Sequence, residues 1–415
     1  MALRKLDRAP TDDYAEAQLA WEGGANMNTW LLLAAVGLGG TMEFERHEID
    51  DFPAGYQVAV ADLSGDGRLD VVALSTQSNR VDWYENPGWR QRPVARTERN
   101  IDLAVCDLDG DGRVEIAVAT GFYYDQGDRG GQIYLLRRTE DIERPWTKHL
   151  VATDPVVHRL RFGDIDGDGR KELVHASIFG PGSRGPRDSA PAHLWAFRIP
   201  KEFEGGEVPC WKIDESLHVL HGLWLGDLDG DGREEILTAS YEGIHRFDFE
   251  GTPAEPRWRR THIAAGAPPV SDAPAAPRGT SEVVPGKLAD GGRFLAAIEP
   301  WHGHQVVVYT QKGDAGRWQR RVIDEGLAVG HALVVADFDA DGDDEIVAGW
   351  RGDQGGLNVY DPIDAAAGRF RTVPLDRGIA VEGALAADLS GNGRPDLLAI
   401  GGRTNDLVWY ENRGQ

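Results

Sequence analysis

The chain has 415 residues, a formal net charge of −24 and an apolar fraction of 41%, enough for a large core. Its 52 glycines and 22 prolines describe many turns rather than long helices. The acidic balance makes nucleic acid and anionic membrane poor partners unless bound cations reverse the local field, and two cysteines, Cys106 and Cys210, exclude a disulfide scaffold or a cysteine zinc site.

Residues 1–42 differ from the rest of the chain. The apolar run TWLLLAAVGLGG, Thr29 to Gly40, is too short to span a bilayer. It has the look of a signal-peptide core, yet Asp12, Asp13, Glu16 and Glu22 precede it where a signal carries basic residues. The segment is read as a leader, disordered or signal-like. The compartment is therefore left open between cytoplasm and secretion, and no membrane span is expected.

From residue 43 onward one motif recurs. DLSGDGRLD offers Asp62, Ser64, Asp66 and Asp70 as oxygen donors, and DLDGDGRVE offers Asp107, Asp109, Asp111 and Glu115. DIDGDGRKE offers Asp164, Asp166, Asp168 and Glu172, and DLDGDGREE offers Asp227, Asp229, Asp231 and Glu235 with the carbonyl of Arg233. DFDADGDDE offers Asp337, Asp339, Asp341 and Glu345, and DLSGNGRPD offers Asp388, Ser390, Asn392 and Asp396. Between the fourth and fifth of these lies a degenerate copy, KLADGGRFL, in which Lys287 replaces the first aspartate. Its ammonium is expected to stand in for a missing cation.

An apolar strand precedes each motif, a second comes after it, and two more complete each repeat. Four short strands at this period predict a propeller blade. Seven copies predict an all-β, seven-bladed β-propeller over residues 43–415. The last copy stops at its third strand, and the N-terminal strand FERHEI (44–49) is expected to complete that blade and close the ring.

The six intact motifs resemble the FG-GAP/VCBS repeats of integrin-type and bacterial propellers. Alternating carboxylates in a tight glycine-containing loop suit a hard cation that takes six to eight oxygens. An EF-hand is disfavoured, because it needs flanking helices and a glutamate at loop position twelve, which in the fourth copy is Thr238, within a strand. Up to six structural Ca²⁺ ions are expected, which would halve the charge of −24.

The metal loops join first and second strands and so share one face of the disc. On the other face, the residue six places before each motif is in turn Tyr56, Ile101, His158, His221, Ser281, His331 and Glu382. Three of the chain's 12 histidines thus hold one repeat position at the channel mouth. Arg159 is next in sequence to His158, and the EPWHGHQ loop adds His302 and His304 on the same face. Histidine suits proton transfer and transition-metal binding, and the aromatic and arginine residues nearby suit a sugar or uronate.

A propeller of this repeat class with histidines at its mouth looks like the propeller domain of aldos-2-ulose dehydratase and like the rhamnose–glucuronate lyases. The resemblance implies a carbon–oxygen lyase acting by β-elimination. It implies His158 or His221 as base, His331 or Tyr56 as acid, and Arg159 or a cation on the enolate. A second divalent metal at the histidine cluster is an open option, with His158, His221 and His331 as ligands. The alternative is a calcium-stabilised propeller that binds a glycan or protein without catalysis. The sequence leaves the substrate and oligomeric state open.

Overall fold

Each intact aspartate motif ends on the residue that opens a strand. Asp70, Glu115, Glu172, Glu235, Glu345 and Asp396 pair with Ala61, Cys106, Gly163, Gly226, Ala336 and Ala387, the residues just before their motifs. The motif is therefore the hairpin turn between the first two strands of a blade. Its tight path needs left-handed backbone, as at Gly65 (φ 81°) and Gly67 (φ 85°), where a side chain would be strained. In the DFDADGDDE copy, Ala340 takes this conformation instead (φ 59°).

The structure is a computed structural model and describes residues 42–273, 275–311 and 317–414. The leader assigned to residues 1–42 lies outside these except for Met42. Seven four-stranded antiparallel sheets succeed one another, the first built from Gly55–Ala61, Asp70–Ser75, Arg80–Glu85 and Arg90–Arg96. Among the described residues the only helical segments are two 3₁₀ turns, Pro186–Asp188 and Ala365–Ala367.

The seventh blade combines Val381–Ala387, Asp396–Gly401 and Asp406–Asn412 with Phe44–Asp51 from the other end of the domain. Phe44 pairs with Asn412 and Asp51 with Asp406, so the predicted closure is present. The closing strand is also packed: Phe44 meets Phe338 of the sixth blade edge-on, with ring centroids 5.6 Å apart.

Second strands are buried along their length, as in Asp70–Ser75 and Glu345–Trp350. They lie between neighbouring sheets, and their apolar side chains join clusters that run from blade to blade. Each Val or Leu so buried contributes about 1.5–3 kcal/mol. First strands neighbour one another around the ring and line its axis.

The chain turns into six of the seven first strands through a left-handed residue, eight places before the motif. These are Ala54, Arg99, Val156, Val219, Gly279 and Val329. For the β-branched valines this is a costly conformation. Val156 and Val219 recover apolar burial in a cluster with Ile178, Phe179, Tyr241 and Trp301. Two residues beyond each left-handed residue comes the position occupied by His158, His221 and His331.

Candidate active site at the channel mouth

The repeat geometry sets the histidines around one axis, and they meet. The ring centroids of His158 and His221 are 4.7 Å apart, and those of His221 and His331 5.2 Å. His302 reaches the same point from the loop between the second and third strands of the fifth blade. Its Nε2 lies 3.0 Å from Nε2 of His221. One ring nitrogen from each of His221, His302 and His331 falls within 4.8 Å of the others. His158, His221 and His331 are all about 2% exposed or less. His304 does not join them: it is exposed, and what it contributes is its carbonyl to the Leu327 N–H.

Partners fix each ring. His221 Nδ1 faces Glu282 Oε1 at 2.8 Å and the Ser281 carbonyl at 3.1 Å, so Nδ1 carries the proton and Nε2 the lone pair, which meets His302. His331 Nδ1 donates to the Glu382 carbonyl at 2.6 Å, and its Nε2 accepts from Tyr56 Oη at 3.2 Å. His302 Nδ1 faces the Arg351 guanidinium at 3.4 Å, a group that can only donate, which leaves its Nε2–H to point at His221. His158 Nε2 likewise faces Arg159 at 3.3 Å. Its Nδ1 is buried without a hydrogen-bond partner in the protein. Trp301 stacks on His302 with centroids 4.4 Å apart, and Phe122 lies 5.8 Å from His158.

Fixed charges around the mouth balance. Arg159 pairs with Glu282 at 3.1 Å, Arg351 with Glu382 at 2.7 Å, and Arg161 with Asp102 at 3.0 Å. Burial, and then Arg159, hold the His158 pKa well below 6.5. Burial and Arg351 do the same for His302 and His331. Burial also lowers His221, against the opposing pull of Glu282. Burial would raise Glu282, but His221 and Arg159 hold it below the ordinary carboxylate value. At neutral pH the site is thus a set of neutral imidazoles beside an ionised carboxylate, able to accept, hold and pass protons.

Glu282, Glu382 and Arg351 complete the site, and the motif pattern gave them no role. Glu382 occupies the histidine repeat position in the seventh blade, and Glu282 comes directly after Ser281 in the fifth. Their positions were therefore legible, but their pairing across blades was not. Arg351 carries no signal beyond its place at the end of a second strand.

On the opposite face the acidic loops are of two kinds. In each loop the first aspartate accepts backbone N–H groups, as Asp62 does from Gly65 at 2.7 Å and Gly67 at 2.9 Å. In five of the six the closing carboxylate accepts another, as Glu115 Oε2 does from Leu108 at 3.0 Å; Glu172 is the exception, its two oxygens and Asp166 Oδ2 being buried without a hydrogen-bond partner. In three loops an arginine on the third strand or directly after it enters the cluster. Arg137 lies 3.6 Å from Asp109 and 3.7 Å from Glu115. Arg198 lies 3.5 Å from Asp166 and 3.4 Å from Glu172 and also pairs with Asp168. Arg246 lies 3.3 Å from Glu235 and pairs with Asp229.

In the loop of Asp337, Asp339, Asp341 and Glu345 no basic side chain forms an ion pair among the described residues. Asp337 Oδ1 and Glu345 Oε1 are buried there without a hydrogen-bond partner. Burial, and then neighbouring aspartates, push Glu345 up to about 9 and Asp339 up to about 6. In the degenerate loop Lys287 is exposed. Its backbone N–H, rather than its ammonium, makes the contact there, donating to Asp344 at 2.6 Å.

Two family models match the chain. Residues 130–312 match the β-propeller domain of aldos-2-ulose dehydratase, and residues 62–118 match an FG-GAP-like repeat. The first stretch includes His158, Arg159, His221, Glu282 and His302. Aldos-2-ulose dehydratase of Phanerodontia chrysosporium is 23% identical over 319 residues, covering 72% of this chain and 34% of that protein. The chain thus spans about a third of its relative's length. Among solved structures, an Agrocybe aegerita lectin that recognises non-reducing terminal N-acetylglucosamine matches with TM-score 0.52 at 16% identity, covering 87% of this chain and 86% of that one. BBS1N, solved in complex with ARL6DN, matches with TM-score 0.53 at 14% identity, covering 92% and 96%. At these identities the solved structures speak to the fold.

Proposed function

We propose, starting from an FG-GAP-type seven-bladed propeller related to the propeller domain of a sugar dehydratase, that the histidine-ringed mouth is a lyase site. It would remove water or an alcohol from a carbonyl- or carboxylate-bearing sugar by β-elimination. The observation that carries this reading is the convergence of three buried imidazoles, the half-buried His302 and Tyr56, with His302 Nε2 3.0 Å from His221 and Tyr56 Oη 3.2 Å from His331.

His221 is the base of this reading. Glu282 on Nδ1 holds its lone pair toward the site and stabilises the imidazolium formed when Nε2 takes the proton next to the carbonyl. That C–H pair becomes the new carbon–carbon double bond as the β C–O bond breaks. Tyr56 turns its hydroxyl proton from His331 Nε2 to the leaving oxygen, and the proton taken up by His221 restores the phenol before the next turnover. The buried Nδ1–H of His158, polarised by Arg159 behind the ring, donates to the oxygen that gains charge. Arg159 serves through His158, because Glu282 already engages its guanidinium.

A specific feature favours a second form of the same reading, in which His221, His302 and His331 hold a divalent cation. Their three nitrogens have the spacing of a three-histidine site with an open position, and oxygen acceptors hold Nδ1 of His221 and His331 as metal-binding histidines require. A cation there would supply Lewis acidity to the sugar oxygen, and His158 and Tyr56 would then move the protons. The Arg351 contact opposes this form, since it favours the His302 tautomer with hydrogen on Nε2.

The test is direct. Purified protein is incubated with aldos-2-uloses and uronate oligosaccharides while the absorbance of an unsaturated product is tracked, with metal content measured in parallel. The lyase reading expects turnover that His221→Ala reduces by about 10²–10⁴-fold. Glycan binding without turnover would instead favour a binding propeller.

We also infer that Ca²⁺ ties the first two strands of some blades. The loop of Asp337, Asp339, Asp341 and Glu345 is the strongest candidate, because its buried carboxylate oxygens lack hydrogen-bond partners and, among the described residues, no basic side chain pairs with them. The three loops entered by Arg137, Arg198 and Arg246 are weaker candidates, since a guanidinium already supplies the countercharge.

A further inference from the structure

Acidic residues outnumber basic ones by 68 to 44 in this chain, so a cluster of cations without carboxylate partners is unexpected. One occurs in a groove between the first and second blades, lined by Tyr123, Arg129, Gln132, Tyr134, Lys148 and Asn79 among others. Asn79 lies in the turn between second and third strands of blade one, and Arg129 in the equivalent loop of blade two. The groove therefore opens on the histidine face, away from the axis.

Among the described residues neither Arg129 nor Lys148 forms an ion pair. The Arg129 guanidinium lies 3.8 Å over the Tyr123 ring and donates to Gln126 at 3.2 Å, and the Lys148 ammonium lies 5.6 Å from the Tyr134 ring. Arg99 adds a third cation, 4.6 Å from Tyr123. Aromatic faces thus hold these side chains without neutralising them. Arg96, on the same rim, is bound to Asp82 at 2.9 Å, and Glu98 is the one acidic side chain among the described lining residues.

We propose that this groove is a second carbohydrate site, taking a sugar ring that bears a carboxylate. Arg129 and Lys148 would pair with the carboxylate. The amides of Asn79 and Gln132 would meet ring hydroxyls. The site stands apart from the histidines and needs no chemistry there, so it does not depend on the lyase reading.

The experiment is titration calorimetry of the full chain with a trigalacturonate, with maltotriose as its neutral counterpart and with inorganic sulfate. Trigalacturonate should bind, more weakly as salt rises, and Arg129→Ala or Lys148→Ala should each weaken binding by about tenfold. Lys148→Arg should restore it, and the losses from Arg129→Ala and Lys148→Ala should persist in a His221→Ala background, in which no uronate is turned over at the histidine ring. Both removed side chains are exposed, so the melting temperature should not move. Absence of binding at millimolar concentration overturns the proposal, as does equal affinity for maltotriose. Equal affinity for sulfate overturns its carbohydrate part. Binding lost in His221→Ala but kept in Arg129→Ala would move the ligand to the histidine ring and overturn it as well.

Discussion

His221 shows how much a single partner decides. Its lone pair faces the site only because Glu282 and the Ser281 carbonyl hold Nδ1. Glu282→Gln should lower kcat by about 10–100-fold and also lower the melting temperature, since the amide keeps the shape but leaves the buried Arg159 without its countercharge. Steady-state kinetics and a thermal melt check both halves. A second carboxylate works for stability instead. Asp154 accepts from His175 at 2.7 Å and His193 at 2.9 Å. Burial would raise its pKa, but the two histidines outweigh burial and hold it at about 2. A depressed carboxylate stabilises the fold above its unfolded pKa near 3.8, and that contribution drains away as the pH falls toward 2. Urea unfolding should therefore lose on the order of 2 kcal/mol between pH 5 and pH 2 through this group, and Asp154→Asn should remove that part of the slope. At this scale the sequence was informative where a residue sat on the repeat. The shared position of His158, His221 and His331 could be counted out, whereas His302 and His304 looked alike within one loop and only His302 turns inward.

The hairpin turns illustrate what is legible at the level of an element. Motif spacing marks every first-to-second strand hairpin, because glycine and aspartate impose the turn locally. It cannot reveal Arg137, Arg198 or Arg246, which reach the turns from a strand two places further on and are set by sheet pairing. The distinction is measurable. Ca²⁺ at about a hundredfold over its dissociation constant should stabilise the protein by about 2.7 kcal/mol per site filled. Glu345→Gln should abolish most of the gain seen at low Ca²⁺ in a melt against chelator. Arg198→Ala should add a response at higher affinity, because it removes the competing guanidinium. If Glu345→Gln leaves the Ca²⁺ response intact, the ranking of the loops is wrong.

Across the whole molecule the ring depends on its closing strand. Removing residues 1–51 would leave Asp406–Asn412 as an open edge and uncover Phe338 and its neighbours in the sixth blade. The truncated chain should aggregate or elute as oligomers in size-exclusion chromatography. The milder Phe44→Ala should cost about 3–5 kcal/mol in equilibrium unfolding. The seven-blade count and this closure were readable because repeat number and strand order are properties of the chain, while contacts across the axis depend on how seven sheets tilt toward one point. Closure also brings the two termini of the domain together: the Arg413 N–H donates to the Glu43 carbonyl at 2.7 Å. A ring joined in this way has no privileged starting point. A short linker from Gly414 to Met42, with new ends cut elsewhere on the rim, would give a circularly permuted protein with the same seven blades, and the choice of cut would decide which pair of blades assembles last.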